Sequence, residues 1–191
     1  MQAYDNADTY GGDKSRFYTI GTSAGAALAL LAARHIVSGL SSVPRNGLCG
    51  VIAIGPLTAH PENIPAKYQK SHTSYSEFGE GAPVLTRSVL VQFLQYAGAA
   101  PDDPGSFILL NDQLFSKFPP VYIASAECDP LRDDGKVFAS GLRQAGVDVR
   151  EDEYQGMPHC FWVFHALPEW SVFIKNTVSA ILWIQNENSC E

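Results

Sequence analysis

The segment that most constrains the fold is a strand, a tight turn and a helix in immediate succession. An apolar run from Phe17 to Ile20 leads into the pentapeptide GTSAG at 21–25, and a strong helix former follows from Ala26 to Ala33. Small residues flank Ser23, as a close approach between the backbones of a strand and a helix requires. Such a turn lifts one serine hydroxyl out of the sheet. The pattern therefore predicts a nucleophile elbow at Ser23 rather than an ordinary glycine-flanked turn.

Two further apolar segments and one alternating segment, which is typical of an edge strand, predict the other strands of a parallel sheet. They run from Leu48 to Ile54, from Val121 to Ala126 and from Val147 to Tyr154, and helical patterns cover 84–96, 133–146 and 170–185. Strands that alternate with helices favour an α/β fold, a mostly parallel sheet with helices on both faces. With 191 residues, 46% of them hydrophobic, the chain is expected to build one domain over 1–191. Residues 56–98, polar at first, are expected to leave the sheet as an excursion.

Composition and charge exclude several classes of partner. A net charge of −7 without a basic cluster repels phosphate backbones, so we expect no nucleic-acid partner. No apolar stretch is long enough to span a bilayer, and the first six residues are polar, so we expect a cytoplasmic protein without a membrane span. The four cysteines have no C-x-x-C spacing, and we expect reduced thiols.

Two loops after predicted strands carry the groups that could activate a serine. A serine hydroxyl needs an imidazole to accept its proton, and the imidazole needs a carboxylate to orient it. Asp129 follows the third strand and His159 follows the fourth, and loops at the carboxyl ends of parallel strands gather at one edge of the sheet. The chain order Ser, Asp, His is that of α/β-hydrolases. We therefore predict that Ser23, Asp129 and His159 form a catalytic triad.

Other side chains compete for these roles. His165 is the rival of His159 as general base, and Asp133 and Asp134 are rivals of Asp129 as the orienting acid. The two aspartates open a predicted helix, so that helix capping explains them, whereas it does not explain Asp129.

Cys128 and Cys160 adjoin Asp129 and His159, which raises the alternative of a Cys/Cys/His/Asp metal site. No paired-ligand spacing supports it, and adjacent residues on a strand point to opposite sides, so we expect no metal and no organic cofactor. The remaining candidates are expected to have structural roles: a surface or satisfied helix position for His35, solvated loops rather than a cap or substrate role for His60 and His72, a salt bridge for Glu127, core packing rather than lining of an acyl pocket for Phe161 and Trp162, and anchoring of the acid loop by Arg132.

The motifs GTSAG, DPLRDDG and GMPHCFW, in this order, resemble the C-terminal portion of the hormone-sensitive-lipase-like carboxylesterases, the α/β-hydrolase fold-3 family. The resemblance implies an α/β-hydrolase fold in which Ser23 is the nucleophile, Asp129 orients the imidazole and His159 is the general base. The N–H of Ala24 would supply part of the oxyanion hole. Residues 56–98 would contribute to a cap that shapes the acyl pocket, and the substrate would be a small-molecule ester.

The sequence departs from the family pattern upstream of the elbow. It contains no His-Gly-Gly-Gly loop, which supplies most of the oxyanion hole in that family, so we expect an N-terminally truncated chain with weak turnover on its own. The strand at 17–20, which is interior in the family, would become an exposed edge, and a homo-oligomer that covers this edge is predicted. The leading interpretation is a serine-dependent carboxylic ester hydrolase. The alternatives are a weak or inactive relative that acts as a binding module, and an ester or lactone hydrolase of secondary-metabolite biosynthesis.

Overall fold

A four-stranded parallel sheet forms the centre of the protein, in a computed structural model that describes residues 2–187. Each strand pairs in parallel with the next along the chain, which gives the order β1-β2-β3-β4. The strands are β1 (Tyr18–Thr22), β2 (Gly50–Ile54), β3 (Val121–Cys128) and β4 (Val149–Pro158). All four predicted strands are present, and β1, β3 and β4 end later than the sequence patterns indicated.

Helices fill the connections between the strands. They are α1 (Gln2–Asp5), α2 (Ala24–Val37), α3 (Ser74–Glu77), α4 (Arg87–Ala97), α5 (Arg132–Gln144) and α6 (Pro168–Glu187). Short 3₁₀ segments lie at Ala7–Tyr10, Lys14–Arg16, Arg45–Gly47, Gln69–Ser71 and Phe161–Val163. The longer stretch Ile108–Lys117 consists of two 3₁₀ segments that meet at a kink at Asn111. The four longest helices, α2, α4, α5 and α6, correspond to the helical patterns that the sequence predicts.

The two faces of the sheet carry separate cores. Val51 and Ala53 of β2 belong to a buried cluster with side chains of α2 and α5, whereas Ile52 and Ile54 belong to a second cluster with side chains of α6. Successive side chains of a strand point to opposite faces, so a continuous apolar run is what a strand between two helical layers requires. The prediction of an α/β fold with helices on both faces is confirmed.

The excursion at 56–98 packs beside the end of the sheet as its own small cluster. Its buried members are Tyr75, Leu85, Leu90 and Leu94, joined by Phe107 and by Leu131 of the loop after β3. The excursion thus lies against the strand-end loop that carries Asp129. Its role as part of a cap stays a prediction.

The edges of the sheet are β1 and β4. Ile20 of β1 is 48% exposed, so the expected apolar edge is present. The predicted association through this edge stays a prediction.

Within residues 2–187 no helix is long and apolar enough to cross a bilayer. Cys128 and Cys160 carry free thiols, but Cys49 is disulfide-bonded, so the expectation of reduced cysteines is wrong for Cys49.

Candidate active site

The turn between β1 and α2 holds Ser23 in an uncommon backbone conformation. Its φ is 53° and its ψ is −124°, a region that non-glycine residues rarely occupy unless the surroundings impose it. The Ser23 N–H donates to the carbonyl of Ile54 at 2.7 Å, which fixes the turn to β2. A Cβ on Gly21 would lie 2.0 Å from the carbonyl oxygen of Gly25, so the close approach of strand and helix excludes any side chain there. The local structure is the elbow that the sequence predicts.

Three predicted side chains meet at the carboxyl end of the sheet. Ser23 Oγ lies 2.8 Å from His159 Nε2, and His159 Nδ1 lies 2.6 Å from Asp129 Oδ2. Asp129 and His159 are almost completely buried, whereas Ser23 is half-buried. The hydroxyl, the imidazole and the carboxylate therefore form a continuous hydrogen-bonded series, and the serine is its most exposed member.

The Asp129 carboxylate is held by its own loop as well as by His159. Its Oδ1 accepts a hydrogen bond from the N–H of Leu131 at 2.8 Å, and its main-chain carbonyl accepts one from the N–H of Arg132 at 2.9 Å. One carboxylate oxygen therefore fixes the side chain to the loop and the other remains for the imidazole.

Aromatic packing fixes the plane of the His159 ring. The Trp162 ring stands edge-on to it with 5.6 Å between ring centroids. Gly55, with a φ of 56°, leaves room for both rings, since a Cβ there would lie 2.9 Å from Trp162 and 3.4 Å from His159 Cε1. Phe161 and Trp162 pack in the core cluster on the α6 side, as expected.

Two opposing effects act on the pKa of His159. Burial lowers it because the charged imidazolium loses water, whereas the hydrogen bond from His159 Nδ1 to Asp129 raises it, and so does the neighbouring thiol of Cys160. Together they raise the pKa of His159 to about 9. The Asp129 carboxylate therefore makes this imidazole a stronger base than a solvated histidine.

A hydrogen-bond donor lies beside the serine. Ala24 is the first residue of α2, so its N–H has no acceptor within the helix. The positive end of the helix dipole lies at the same place. Both features suit a developing negative charge next to Ser23, which is where an oxyanion would form.

A cavity of about 360 Å³ adjoins these groups. Ser23, Ala24 and His159 line it together with Cys160 and side chains that are otherwise aliphatic or aromatic: Leu57, Val84, Leu85, Leu90, Phe93, Leu94, Ala97 and Leu131. Most of the apolar lining comes from the excursion at 56–98. An apolar group next to the serine would be shielded from water by this wall.

The structure gives the rival residues other partners. His165 is exposed and contacts the ring of Trp170 at 4.8 Å between centroids. The capping explanation for Asp133 and Asp134 is wrong, because α5 begins after Leu131 without a side-chain cap. Both aspartates are buried and accept hydrogen bonds from the backbone of the excursion instead.

Other expectations about single residues have mixed outcomes. His35 is exposed, but the expectation of solvated loops is wrong for His60 and His72, which are buried. Glu127 accepts a hydrogen bond from the N–H of Gly156 at 2.7 Å. Arg132 forms ion pairs with Asp133 and with Glu77, which anchors the acid loop as expected.

The geometry of His159 does not favour the metal alternative. Both ring nitrogens of His159 are occupied by Ser23 and Asp129, so neither is free to bind an ion. Across the part of the chain that the structure describes, no cluster of three or more His, Cys, Asp or Glu side chains is arranged to hold a metal.

Sequence reasoning missed the contacts that attach the excursion to the acid loop. Hydrogen bonds from His72, Ser74 and Thr58 reach Asp134, Asp133 or Pro130 across 56 to 76 positions of the chain. One signal was available. Two adjacent carboxylates on a helix point in directions about 100° apart, so a single cap could not explain both.

Comparison with known proteins identifies the family. A family model described as alpha/beta hydrolase fold matches residues 1–163. Versiconal hemiacetal acetate esterase of Dothistroma septosporum is 41% identical over 182 residues, which are 95% of this chain and 55% of that protein.

Solved structures agree with this assignment. The structure of vibralactone cyclase superposes with a TM-score of 0.88 at 31% identity, over 97% of this chain and 54% of that one. A fungal esterase from Rhizomucor miehei superposes with a TM-score of 0.80 at 26% identity, over 97% of this chain and 57% of that one. The chain spans about half the length of the relatives it matches. It belongs to the alpha/beta hydrolase fold-3 carboxylesterase family.

Proposed function

We propose that this chain carries the catalytic residues of a serine-dependent carboxylic ester hydrolase. The observation that supports this most directly is the hydrogen-bonded series from Ser23 Oγ through the His159 ring to Asp129 Oδ2, with distances of 2.8 and 2.6 Å. The elbow conformation of Ser23 adds to it, because a strained backbone at a half-buried hydroxyl that lines a cavity is characteristic of a positioned nucleophile.

The proposed reaction has two steps. Ser23 Oγ attacks the ester carbonyl while His159 Nε2 takes its proton, and the tetrahedral intermediate collapses when His159 returns that proton to the departing alcohol. A water molecule, deprotonated by His159, then attacks the acyl-enzyme. The acid leaves and the Ser23 hydroxyl is restored. Asp129 keeps the imidazole in the required tautomer and stabilises its charged form.

The N–H of Ala24 stabilises the oxyanion in both steps. Removing one oxyanion donor from an enzyme costs on the order of 10²–10³ in turnover, so the number of donors decides how active a site is. Ala24 is the single donor that we assign within residues 2–187. This favours the second candidate function, a weak or inactive relative that serves as a binding module.

The apolar cavity and the relatives narrow the proposed substrate. A lining of aliphatic and aromatic side chains beside Ser23 suits an uncharged ester with an apolar group. The similarity to a versiconal hemiacetal acetate esterase and to vibralactone cyclase supports the finer proposal of an ester or lactone substrate in secondary-metabolite biosynthesis.

Hydrolysis of p-nitrophenyl acetate and butyrate tests the proposal. The wild-type chain is expected to hydrolyse these esters faster than its Ser23→Ala variant. The control Ser171→Ala, which alters an exposed serine at the start of α6, is expected to retain the wild-type rate. Intact-mass analysis after treatment with a fluorophosphonate should show one adduct on the wild type and none on Ser23→Ala. Equal rates and no adduct would reject the hydrolase and leave the binding module.

A further inference from the structure

We infer that Ser74 is a positioning residue for Asp129: its buried hydroxyl fixes the peptide plane that holds the carboxylate against His159. This inference rests on the roles proposed for Asp129 and His159, and it adds a residue on the excursion, outside the three motifs that carry the chemistry.

The first step is the contact between Ser74 and the acid loop. Ser74 is completely buried, and its Oγ donates a hydrogen bond of 2.7 Å to the carbonyl oxygen of Pro130. The same Oγ accepts a hydrogen bond of 3.2 Å from the N–H of Asp133. A single hydroxyl therefore bridges the loop after β3 and the first turn of α5.

The second step follows from the planarity of the peptide bond. The carbonyl of Pro130 and the N–H of Leu131 are the two ends of one rigid peptide unit. That N–H donates to Asp129 Oδ1 at 2.8 Å, while Asp129 Oδ2 lies 2.6 Å from His159 Nδ1. When Ser74 fixes the oxygen end of the plane, it also fixes the N–H that orients the carboxylate.

The third step is the anchoring of Ser74 itself. Asp133 Oδ2 accepts hydrogen bonds from the N–H of Thr73 at 2.7 Å and from the N–H of Ser74 at 2.8 Å. Arg132 holds the other oxygen of this carboxylate through its Nε at 2.7 Å. The excursion segment is therefore clamped to α5, and the Ser74 hydroxyl has little freedom to follow a shifted loop.

Loss of the hydroxyl would leave two buried groups without their partner. In Ser74→Ala the carbonyl of Pro130 and the N–H of Asp133 must find other partners or move, and unsatisfied buried groups are costly. A rotation of the Pro130–Leu131 plane is the direct way to relieve this. It would weaken the hold on Asp129 and lengthen its contact with His159, although no part of the cavity wall would be removed.

NMR titration of the histidine rings tests this inference without relying on catalysis. The His159 resonances can be assigned by comparison with His159→Gln. In Ser74→Ala the midpoint of the His159 titration is expected to fall by about half a unit or more, because a weaker contact with Asp129 stabilises the imidazolium less. Cys160 is the other titratable group that faces this ring, and it is unchanged in the variant. The control is Ser76→Ala, which removes an exposed hydroxyl from the same short helix.

Kinetics with p-nitrophenyl butyrate provides the second measurement. Ser74→Ala is expected to lower kcat about tenfold or more while KM changes less than about twofold, since small displacements of catalytic groups affect the chemical step. If Ser74→Ala does not fold, Ser74→Cys fills the same space with a weaker donor and decides the question by the same two measurements.

The outcomes separate this inference from the proposed function. A His159 titration in Ser74→Ala or Ser74→Cys that matches the wild type and Ser76→Ala overturns the positioning role. A shifted titration in a chain whose wild type hydrolyses no ester supports the positioning role and overturns the hydrolase.

Discussion

His72 Nε2 lies 2.9 Å from Asp134 Oδ2, and neither side chain is exposed to solvent. Asp134 Oδ1 accepts two further hydrogen bonds from the backbone N–H groups of Thr58 and Ala59, at 2.7 and 3.0 Å. The Asp134 carboxylate of α5 thus binds the start of the excursion, at Thr58 and Ala59, and also its middle, at His72. Since the excursion provides most of the apolar cavity wall, Asp134 connects the wall to the helix that follows the acid loop.

Replacement of Asp134 by alanine is therefore expected to destabilise the fold. The variant leaves the His72 ring and two backbone N–H groups buried without their acceptor, and removal of one partner of a buried pair costs about 3–5 kcal/mol. Urea unfolding followed by circular dichroism measures the free energy of unfolding. Asp148→Ala, on an exposed residue, is the control and should stay within about 0.5 kcal/mol of the wild type. Equal losses in both variants would contradict this role of Asp134.

Esterase activity should depend on pH through His159. Burial lowers the pKa of this imidazole, but the hydrogen bond to Asp129 and the Cys160 thiol raise it, so that it reaches about 9. A general base must be neutral, so kcat/KM is expected to increase with pH and to level off only above about pH 9. The measurement is the pH profile of kcat/KM for p-nitrophenyl acetate.

Asp129→Asn provides the matched variant for that profile. Without the carboxylate the pKa of His159 should fall, and the acid limb of the profile should move to lower pH. The maximal rate is expected to drop by about 10⁴, as it does where an amide imposes the wrong tautomer. If the acid limb of the wild-type profile has its midpoint near pH 6.5, and this midpoint is the same in Asp129→Asn, Asp129 does not act on His159.

The parts of the site that the sequence predicts are those with a local signal. Ser23 lies in a turn whose flanking strand, helix and small residues are contiguous. Asp129 follows directly after the apolar strand β3, and His159 follows directly after the alternating edge strand β4. Parallel strands in one sheet bring such loops to one edge, so the topology supplies the proximity. The Ser23–His159 contact then follows from the strand order although 136 positions separate the two residues.

The contacts of the excursion have no such signal. Its path is set by hydrogen bonds such as those from His72 to Asp134 and from Ser74 to Pro130, between segments 62 and 56 positions apart. Neither a period of hydrophobicity nor a turn motif encodes pairs of this kind. A serine or histidine in a polar stretch resembles a solvated loop until the fold buries it, which is why the solvated position predicted for His72 is wrong.

Stability in acid should depend on Asp133. Burial raises the pKa of this carboxyl, but hydrogen bonds from Arg132 and from the N–H groups of Thr73 and Ser74 lower it more strongly, from 3.8 to about 2. Since the folded state holds the carboxylate deprotonated, the associated stability is complete above about pH 4 and is lost as the pH falls through about 2. We expect a decrease of about 2 kcal/mol in the free energy of unfolding over this range.

Urea unfolding between pH 2 and pH 5 measures this slope. Asp133→Asn should be less stable than the wild type at pH 5, and the difference should shrink as the pH approaches 2. For Asp148→Asn, at an exposed position, the free energy of unfolding should change with pH in parallel with that of the wild type. Parallel curves for Asp133→Asn and the wild type would show that this carboxylate does not carry the acid dependence.

The size of the apolar cavity should limit the ester that the site accepts. Ala97, the last residue of α4, lines the cavity of about 360 Å³ that also contains Ser23. In Ala97→Phe the phenyl ring is expected to occupy part of this volume, so that a long acyl chain loses its place while an acetyl group still fits. One methylene more or less in an apolar pocket alters kcat/KM by about 10–200-fold, so we expect the hexanoate-to-acetate ratio of kcat/KM to fall about tenfold or more. Ala100→Phe adds the same ring at an exposed position outside the cavity lining and should leave that ratio unchanged, whereas an unchanged ratio in Ala97→Phe would show that the substrate does not enter this cavity.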